Sequence, residues 1–510
     1  MINFLLLVPR SISPKGTIPR IHAPLGALAI ASQAKEEGIN VKLLDTSIGY
    51  VDEDTRDTYF ERCSREVEFD GIKYWRTGLD DEEIIFRIED FKPDVIAISC
   101  CTVVDREDTK YLCELIHSRF PAIPIFLGGH EISHNYVDVL IKNVPRNYIS
   151  GIEGVSVGLG QPYVGGIVRY LKAKANEEEC DIPRGFACIK NGKLIVPQLD
   201  EMDPNDYALF DYSLLDSVRV KNREKPYDVY SFVGNTHAGD ISELLKFEGE
   251  LLSYLPIFTS YGCGNNCTFC DTDQYLLRYS VDNVKKMISQ FDELYGIDYI
   301  DFMDNNFAGG GEKSREICFS ILEYVYKLNI RVGFSNGLTF ESMIRNDYEL
   351  LRIFEKYNNV VHIAFPCENG NARVLKMIRK PHTIEMIKNT LVFASKHLPN
   401  VNKEGFFIGG FPETLGEPAE SPDEVRNTIE FIRYVITNDL LNQAIFLKLS
   451  PVTSIYRKIW EEKHIDKSFV HCLFSKGTNI WPYDNDILEK ARLEVIDINK
   501  KENRYVTRKL

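Results

Sequence analysis

Apolar residues along this chain fall into two successive rhythms. In the first, Ile2–Val8 is a continuous apolar run followed by a Pro/Gly/Arg-rich loop from Pro9 to Pro24. Leu25–Glu37 has helical spacing, Val41–Asp45 reads as a strand, and Glu82–Phe91 as a helix. Asp94–Ser99 is strand-like again, Lys110–Arg119 is helical, and Ile123–Leu127 is a strand ending in Gly128-Gly129. Short apolar strands that alternate with helices are covered on both faces, which predicts a parallel, doubly wound α/β sheet. Such a sheet takes its ligands at the carboxyl ends of its strands. Those ends carry Pro9–Pro24, Asp45–Thr46, Ser99–Asp105 and Gly128–His134.

Residues 150–250 are less regular. Gly165–Ala175 reads as a helix, and Cys188–Val196 as a hairpin turning at Asn191-Gly192. Pro204–Asp216 is an aromatic, acidic connector, and Thr236–Glu250 an inserted helix. The second, longer rhythm starts at Pro256. Its strands are Ile257–Tyr261, Tyr299–Met303, Arg331–Ser335, Val360–Phe365, Gly405–Ile408 and Ala444–Lys448. Between them lie helices at Val281–Tyr295, Ser314–Lys327, Asp347–Lys356, Ala372–Ile378, Thr383–Lys396 and Pro422–Asn438. Six β/α units in succession predict a partial or full parallel barrel, with its chemistry at the strands' carboxyl ends. The expected boundaries are 1–155, a connector over 156–254, the barrel over 255–450, and a small cap over 451–510 built around Trp460, Phe469 and Trp481.

Composition narrows the function. The chain has 510 residues, is 44% hydrophobic and carries a net charge of −15, so it is globular and its field repels phosphate backbones. No apolar run reaches the roughly 20 residues that span a bilayer, and the N-terminal run has neither a basic leader nor a cleavage site. A cytoplasmic protein that binds neither membrane nor nucleic acid is expected. Nine of the twelve cysteines are scattered and read as reduced thiols.

The other three are Cys263, Cys267 and Cys270, a C-x3-C-x2-C cluster directly after a strand. Three thiolates on one loop suit an iron–sulfur cluster, and no fourth Cys follows at a matching spacing, which leaves one iron open to a small molecule. Structural zinc would need a fourth ligand. His130-Glu131-Ile132-Ser133-His134 spells a zinc-protease motif, which requires a helix. Here it follows a strand and two glycines in what reads as the other domain, so the match is taken as chance.

With Phe269 as the aromatic of C-x3-C-x-Φ-C, the loop resembles the radical S-adenosylmethionine (radical SAM) enzymes. The resemblance covers about 256–448. It implies a [4Fe–4S] cluster on Cys263, Cys267 and Cys270, whose open iron chelates SAM and cleaves it to a 5′-deoxyadenosyl radical. It further implies SAM contacts from Phe269, from Asp304 and Asn305 (with Asn306) after the second strand, and from Ser335 after the third. Glu368 in Phe365-Pro-Cys-Glu-Asn-Gly370 and Gly409 in Phe407-Ile-Gly-Gly-Phe-Pro-Glu413 complete that set, although Pro366, Cys367 and the spacing of Glu413 depart from the family pattern. Each polar group has the alternative role of capping the following helix.

Residues 1–155 resemble the cobalamin-binding domain that precedes the barrel in class B radical SAM methyltransferases. The matching pieces are Pro24-Leu25-Gly26, Asp45, Ser99 and Thr102, Gly128-Gly129, and a loose G-E-G-E counterpart at Gly151-Ile152-Glu153-Gly154. Of the last run Gly151 and Glu153, and all of the other residues named, are expected to contact cobalamin. The D-x-H-x-x-G signature is absent, so the lower cobalt face should meet the Ser99–Asp105 loop without a His ligand. The alternative is a Rossmann-like module with another cofactor or none.

Together these resemblances imply methylation of an unactivated carbon, or phosphorus, in a small molecule or peptide, under anaerobic conditions and with a reducing partner such as flavodoxin or ferredoxin. A radical cyclase, ring-rearranging or oxidising enzyme is the main alternative, and a non-catalytic cobalamin or iron–sulfur sensor a further one. RNA methylthiolation is disfavoured by the charge and by the lack of N-terminal cluster cysteines. The substrate is expected to be set by Tyr50–Asp80, Pro204–Glu250 and the cap.

Overall fold

The computed structural model describes residues 2–14, 21–54, 58–69, 72–102, 105–137, 139–140, 151–176, 178, 180–233, 251–270, 272–413, 416–449 and 485–501. The first sheet has seven strands: β1 (Asn3–Val8), β2 (Asn40–Asp45), β3 (Val95–Ser99), β4 (Ile125–Gly128), β5 (Ile152–Ser156), β6 (Phe186–Lys190) and β7 (Lys193–Ile195). β2, β1, β3, β4 and β5 run parallel in that order, and the β6–β7 hairpin adds antiparallel to β5. The hairpin turns at Asn191 and Gly192, both with positive φ, as a two-residue turn between twisted strands requires. One apolar core lies on each face, around Leu5, Ile96 and Leu112 on one side and Phe4, Phe126 and Val164 on the other. This is the doubly wound arrangement, and its order 2-1-3-4-5 reverses between β1 and β3.

The second sheet has six parallel strands in sequential order: β8 (Tyr254–Ile257), β9 (Tyr299–Phe302), β10 (Arg331–Phe334), β11 (Val360–Glu368), β12 (Asn402–Gly409) and β13 (Gln443–Lys448). Helices start on sequence cues. Ser280, Thr383 and Ser421 each accept a backbone N–H of the following turn, and Ser421 with Glu424 forms a capping box. The helix Asn485–Lys501 covers the β13 edge, where Asn499 bonds both the N–H (3.1 Å) and the C=O (2.8 Å) of Ala444.

One contiguous apolar core joins the two sheets. It runs from Leu25, Leu28 and Tyr59 through Phe210, Tyr212 and Tyr230 into the barrel. Hydrogen bonds reinforce it. Tyr230 donates to Asp45 at the end of β2 (2.7 Å), and Tyr295 donates to the Tyr212 carbonyl (2.9 Å). No helix among the described residues is long and apolar enough to cross a membrane.

Several expectations need correction. Residues Ile257–Tyr261 are not one strand: β8 ends at Ile257, and Ser260–Gly262 pairs antiparallel with Leu276–Arg278, so the cysteine loop is the tip of a ribbon. The Pro9–Pro24 loop supplies a strand, Ser11–Pro14, to a three-stranded antiparallel sheet with Ser64–Phe69 and Ile72–Thr77. His130–Val137 is helical despite the glycines before it. The Thr236–Glu250 helix, Trp460, Phe469 and Trp481 lie outside the described residues.

Candidate active site

The cysteine loop lies across the carboxyl ends of the barrel strands, held by contacts from several of them. Gly262 (φ 75°) starts it, where a Cβ would stand 1.9 Å from the Tyr275 carbonyl oxygen, so the ribbon closes only on glycine. The Cys263 N–H bonds the Asp273 carbonyl (3.0 Å), and its carbonyl accepts from Asn306 after β9 (3.1 Å). The Thr268 N–H reaches the carbonyl of Ile378 (3.1 Å), and Phe269 packs edge-on against Phe411 after β12, with centroids 5.6 Å apart.

The thiols set an electrostatic condition. Burial raises the Cys263 thiol and lifts Cys267 to about 11, and ionised neighbouring thiols push the same way, while Lys380 pulls both down. Three thiolates on one loop therefore need positive charge among them, as iron would supply. Among the described residues no group of three His, Cys, Asp or Glu side chains is arranged to hold a single metal ion. A four-iron cluster attaches its cysteines to separate irons, so they need not converge on one point. The donor set fits that group.

Lys380 was not anticipated from the sequence. Its ammonium lies 2.8 Å from Glu368 and 5.6 Å from the Phe269 ring centroid, and both partners of the pair are nearly buried. Burial alone would lower its pKa, but Glu368 and Cys267 overcome that and hold it above its ordinary value. Glu368 itself sits at φ 60° on a bulge of β11, a strained conformation of the kind found at ligand sites. The available signal was a basic residue shortly after the helix that follows Glu368.

The other expected SAM contacts divide. Asp304 is fully buried and accepts from the Thr259 and Ser260 hydroxyls (2.7 and 2.5 Å), so its carboxylate fastens the ribbon instead of facing the mouth. Ser335 is drawn onto Asp301 through its N–H (3.0 Å). Gly409 is glycine for packing, because a Cβ there would meet Phe446 at 2.5 Å. Asn305 is half-buried beside them. Among the described residues the buried side-chain oxygen of Asn306, beside Cys263, has no hydrogen-bond partner, which leaves an acceptor at the mouth. Glu413 is exposed, and the buried Glu420 instead joins Asn369 (2.8 Å) to the Gly410 N–H (2.6 Å).

In the first sheet, Ser99, Thr102, Gly128 and Gly129 meet at the carboxyl ends of β3 and β4, beside the reversal point. Thr102 is exposed and bonded to Asp105, which burial lifts to about 6. Gly129 (φ 98°) lies against Cys100, where a Cβ would come within 2.3 Å of the carbonyl oxygen. Pro24 and Leu25 open the helix Leu25–Glu36, and Gly26 in its first turn is exposed, with no heavy atom of the described residues within 4 Å of where a Cβ would stand. Small residues and open backbone of this kind fit a large, flat cofactor. Asp45 is committed elsewhere, to Ser47 and Tyr230.

Gly151 and Glu153 do not join this group. They stand at the amino end of β5, Gly151 against His117 and Glu153 bonded to Tyr170 and Lys174. The carboxyl end of β5 instead carries Gly158-Leu159-Gly160-Gln161, a second closely spaced glycine pair whose position after a strand is the signal that would have marked it. The His130 and His134 rings lie 4.2 Å apart on their helix, but Glu131 is engaged by Arg106.

Comparison with known proteins bears on both halves. Residues 15–154 match the B12 binding domain, and residues 257–432 match the radical SAM superfamily. The chain joins a B12 binding domain to a radical SAM domain. Over 495 residues the chain is 24% identical to cytidylyl-2-hydroxyethylphosphonate methyltransferase of Streptomyces wedmorensis, covering 90% of this chain and 84% of the relative. It is 22% identical to the threonylcarbamoyladenosine tRNA methylthiotransferase MtaB of Bacillus subtilis over 48% of this chain and 54% of that one. Two solved structures share the fold. The cobalamin-dependent radical enzyme OxsB superposes with a TM-score of 0.60 at 16% identity, covering 97% of this chain but 61% of OxsB. TsrM from Kitasatospora setae, a radical SAM methyltransferase with cobalamin and a [4Fe–4S] cluster bound, gives 0.60 at 14%, covering 91% of this chain and 75% of TsrM.

Proposed function

We propose that this chain is a cobalamin-dependent radical SAM methyltransferase acting on an unactivated carbon, or phosphorus, of a small molecule or peptide. A reducing partner such as flavodoxin or ferredoxin and a cytoplasmic setting go with that activity. The observation that carries the proposal is the presence of two cofactor frames in one chain, at the carboxyl ends of two sheets cemented by one core. When bound, the cluster with SAM would supply a hydrogen-abstracting carbon radical, and cobalamin a transferable methyl group. The methyltransferase from Streptomyces wedmorensis, matched over 90% of this chain, supports methyl transfer over cyclisation. The tRNA-modifying relative matches less than half of the chain, and a net charge of −15 opposes an RNA substrate.

The protein's own part is to hold and orient. Cys263, Cys267 and Cys270 would ligate the cluster, on a ribbon fastened by Asp304, Asn306 and Phe411. Lys380, paired to Glu368, keeps a cation beside Cys267. Ser99, Thr102, Gly26, Gly128 and Gly129 would line the corrinoid cleft, and the barrel walls exclude water.

Replacing any one of the three cysteines by Ala is expected to abolish iron–sulfide absorption and anaerobic formation of 5′-deoxyadenosine. Turnover with methyl-labelled SAM should place the label on a product heavier by one CH2 unit. Continued SAM cleavage in a cysteine variant would remove the radical assignment. A folded, iron-loaded protein that never retains cobalamin would remove methyl transfer.

A further inference from the structure

In a chain of net charge −15, four arginines line one cavity of about 170 Å³. Arg10 follows β1 at the reversal point of the first sheet, and Arg62, Arg65 and Arg76 come from the 50–80 insertion. Two of the four are neutralised. Asp108, fully buried, accepts from the Arg10 Nε–H at 3.1 Å and forms an ion pair with Arg76 at 3.0 Å, and Asp81 accepts from Arg10 at 2.7 Å. Tyr111 donates to Asp81 and lies under both guanidiniums, 5.3 and 4.3 Å from its ring centroid. That network fixes the cavity wall in place.

Arg62 and Arg65 are different. Among the described residues neither forms an ion pair, and Arg65 donates only to the carbonyls of Arg62 (2.6 Å) and Ser64 (3.0 Å). The remaining acid at the rim, Asp80, is engaged in capping the helix Asp81–Phe91. Cys63 between them is no counter-ion, since burial raises its thiol despite both arginines. Two exposed arginines thus line one cavity with no free anion among the described residues, and their planar cationic forks suit the oxygens of a phosphate.

We propose that this cavity binds a phosphate-type oxyanion through Arg62 and Arg65, borne either by the substrate or by the nucleotide tail of the corrinoid. The identity of the bearer rests on the function proposed above, whereas oxyanion binding does not. The test titrates inorganic phosphate and pyrophosphate into the full chain by calorimetry, beside Arg62→Gln, Arg65→Gln and the double variant, with circular dichroism as the control for folding. Each single change should weaken binding about tenfold, and the double change about a hundredfold.

Retention of cobalamin against cobinamide, which lacks the phosphate, then separates the sources. If the tail is the ligand, the double variant loses the preference for cobalamin. If the substrate is, the variant and wild type retain the two corrinoids alike while differing in phosphate affinity. Equal phosphate and pyrophosphate affinity in wild type and folded double variant, or none in either, would overturn the site. Cys263→Ala protein should bind pyrophosphate undiminished, so failure of the radical chemistry and failure of this site are read separately.

Discussion

The carboxyl ends of the two sheets are built on opposite principles. At the barrel mouth nearly every acidic side chain is already engaged by the protein: Asp301 by Ser335, Asp304 by Thr259 and Ser260, Glu368 by Lys380, and Glu420 by Asn369 and Gly410. At the first sheet the loops offer glycine, small hydroxyls and open backbone, and among the described residues nothing stands close above Gly26. A compact, highly charged cofactor needs its ligands locked at fixed positions, whereas a broad cofactor needs a cleft that nothing fills. The barrel therefore invests in wiring, and the sheet in absence of side chains.

If the wiring at the mouth is as tight as its burial implies, breaking the Glu368–Lys380 pair should have the largest effect on stability. Removing one partner of a buried pair leaves an uncompensated charge, which costs about 3–5 kcal/mol, against less than about 1 kcal/mol for an exposed pair. Lys380→Met and Glu368→Gln should each lower stability in urea unfolding by that larger amount, and the double variant by less than the sum of the two. Additive losses of a few tenths would show the pair to be a surface decoration and would erase the contrast between the regions.

Much of this frame was legible in the sequence, for a physical reason. Parallel strands buried on both faces read as unbroken apolar runs, so all but one of the expected barrel strands overlap the observed ones within a few residues; the exception, Ile257–Tyr261, straddles a strand and a ribbon. Polar half-exposed strands lack that signal. Ser64–Phe69 and Ile72–Thr77 were missed even though Asp70-Gly71 between them is a hairpin cue. Site residues were legible where spacing along the chain carries the chemistry, as in the cysteine loop. They were not where distant segments meet: Lys380 reaches Glu368 across a helix, and Arg10 meets Arg62 and Arg65 across an insertion. Gly151 and Gly158 show the limit from the other side, since two Gly-x-Gly-like runs flank β5 and composition alone does not say which end of the strand each occupies.

Asp45 departs from that pattern in the first sheet, as Asp108 does beside Arg10, because its carboxylate is engaged as fully as any in the barrel. Burial lifts it to about 6 from 3.8, against the opposing pull of Ser47 and Tyr230. The folded protein thus holds this proton more tightly than the unfolded chain. Its contribution to stability is full below about pH 4 and is lost as pH rises through about 6, by about 3 kcal/mol at roughly 1.36 kcal/mol per unit. The stability of wild type relative to Asp45→Asn should therefore fall between about pH 4 and 6 and stay level above. Asp228 and Asp301 titrate in both proteins and cancel, and Asp105, which the Asp45 charge raises as a minor cause, leaves only that coupling in the difference. A difference that is flat across this range would mean that Asp45 is solvated, and that the connector carrying Tyr230 does not close over it.

Gly26→Ala has the smallest expected effect on folding and the sharpest bearing on the comparison. No atom of the described residues lies within 4 Å of the added methyl, and the position is in the first turn of a helix, where alanine is favoured over glycine by up to about 1 kcal/mol. Cofactor-free protein should be as stable as wild type or slightly more so. Gly129→Ala is the counter-case, because there the methyl would collide with the Cys100 backbone and folding itself should suffer. If the space above Gly26 is kept for a ligand, the alanine variant should retain cobalamin at least about tenfold less well, a penalty that a single steric contact of about 1.4 kcal/mol produces. Unchanged retention in a folded Gly26→Ala protein would detach this loop from the cleft, and would leave the β3 and β4 ends alone to frame it.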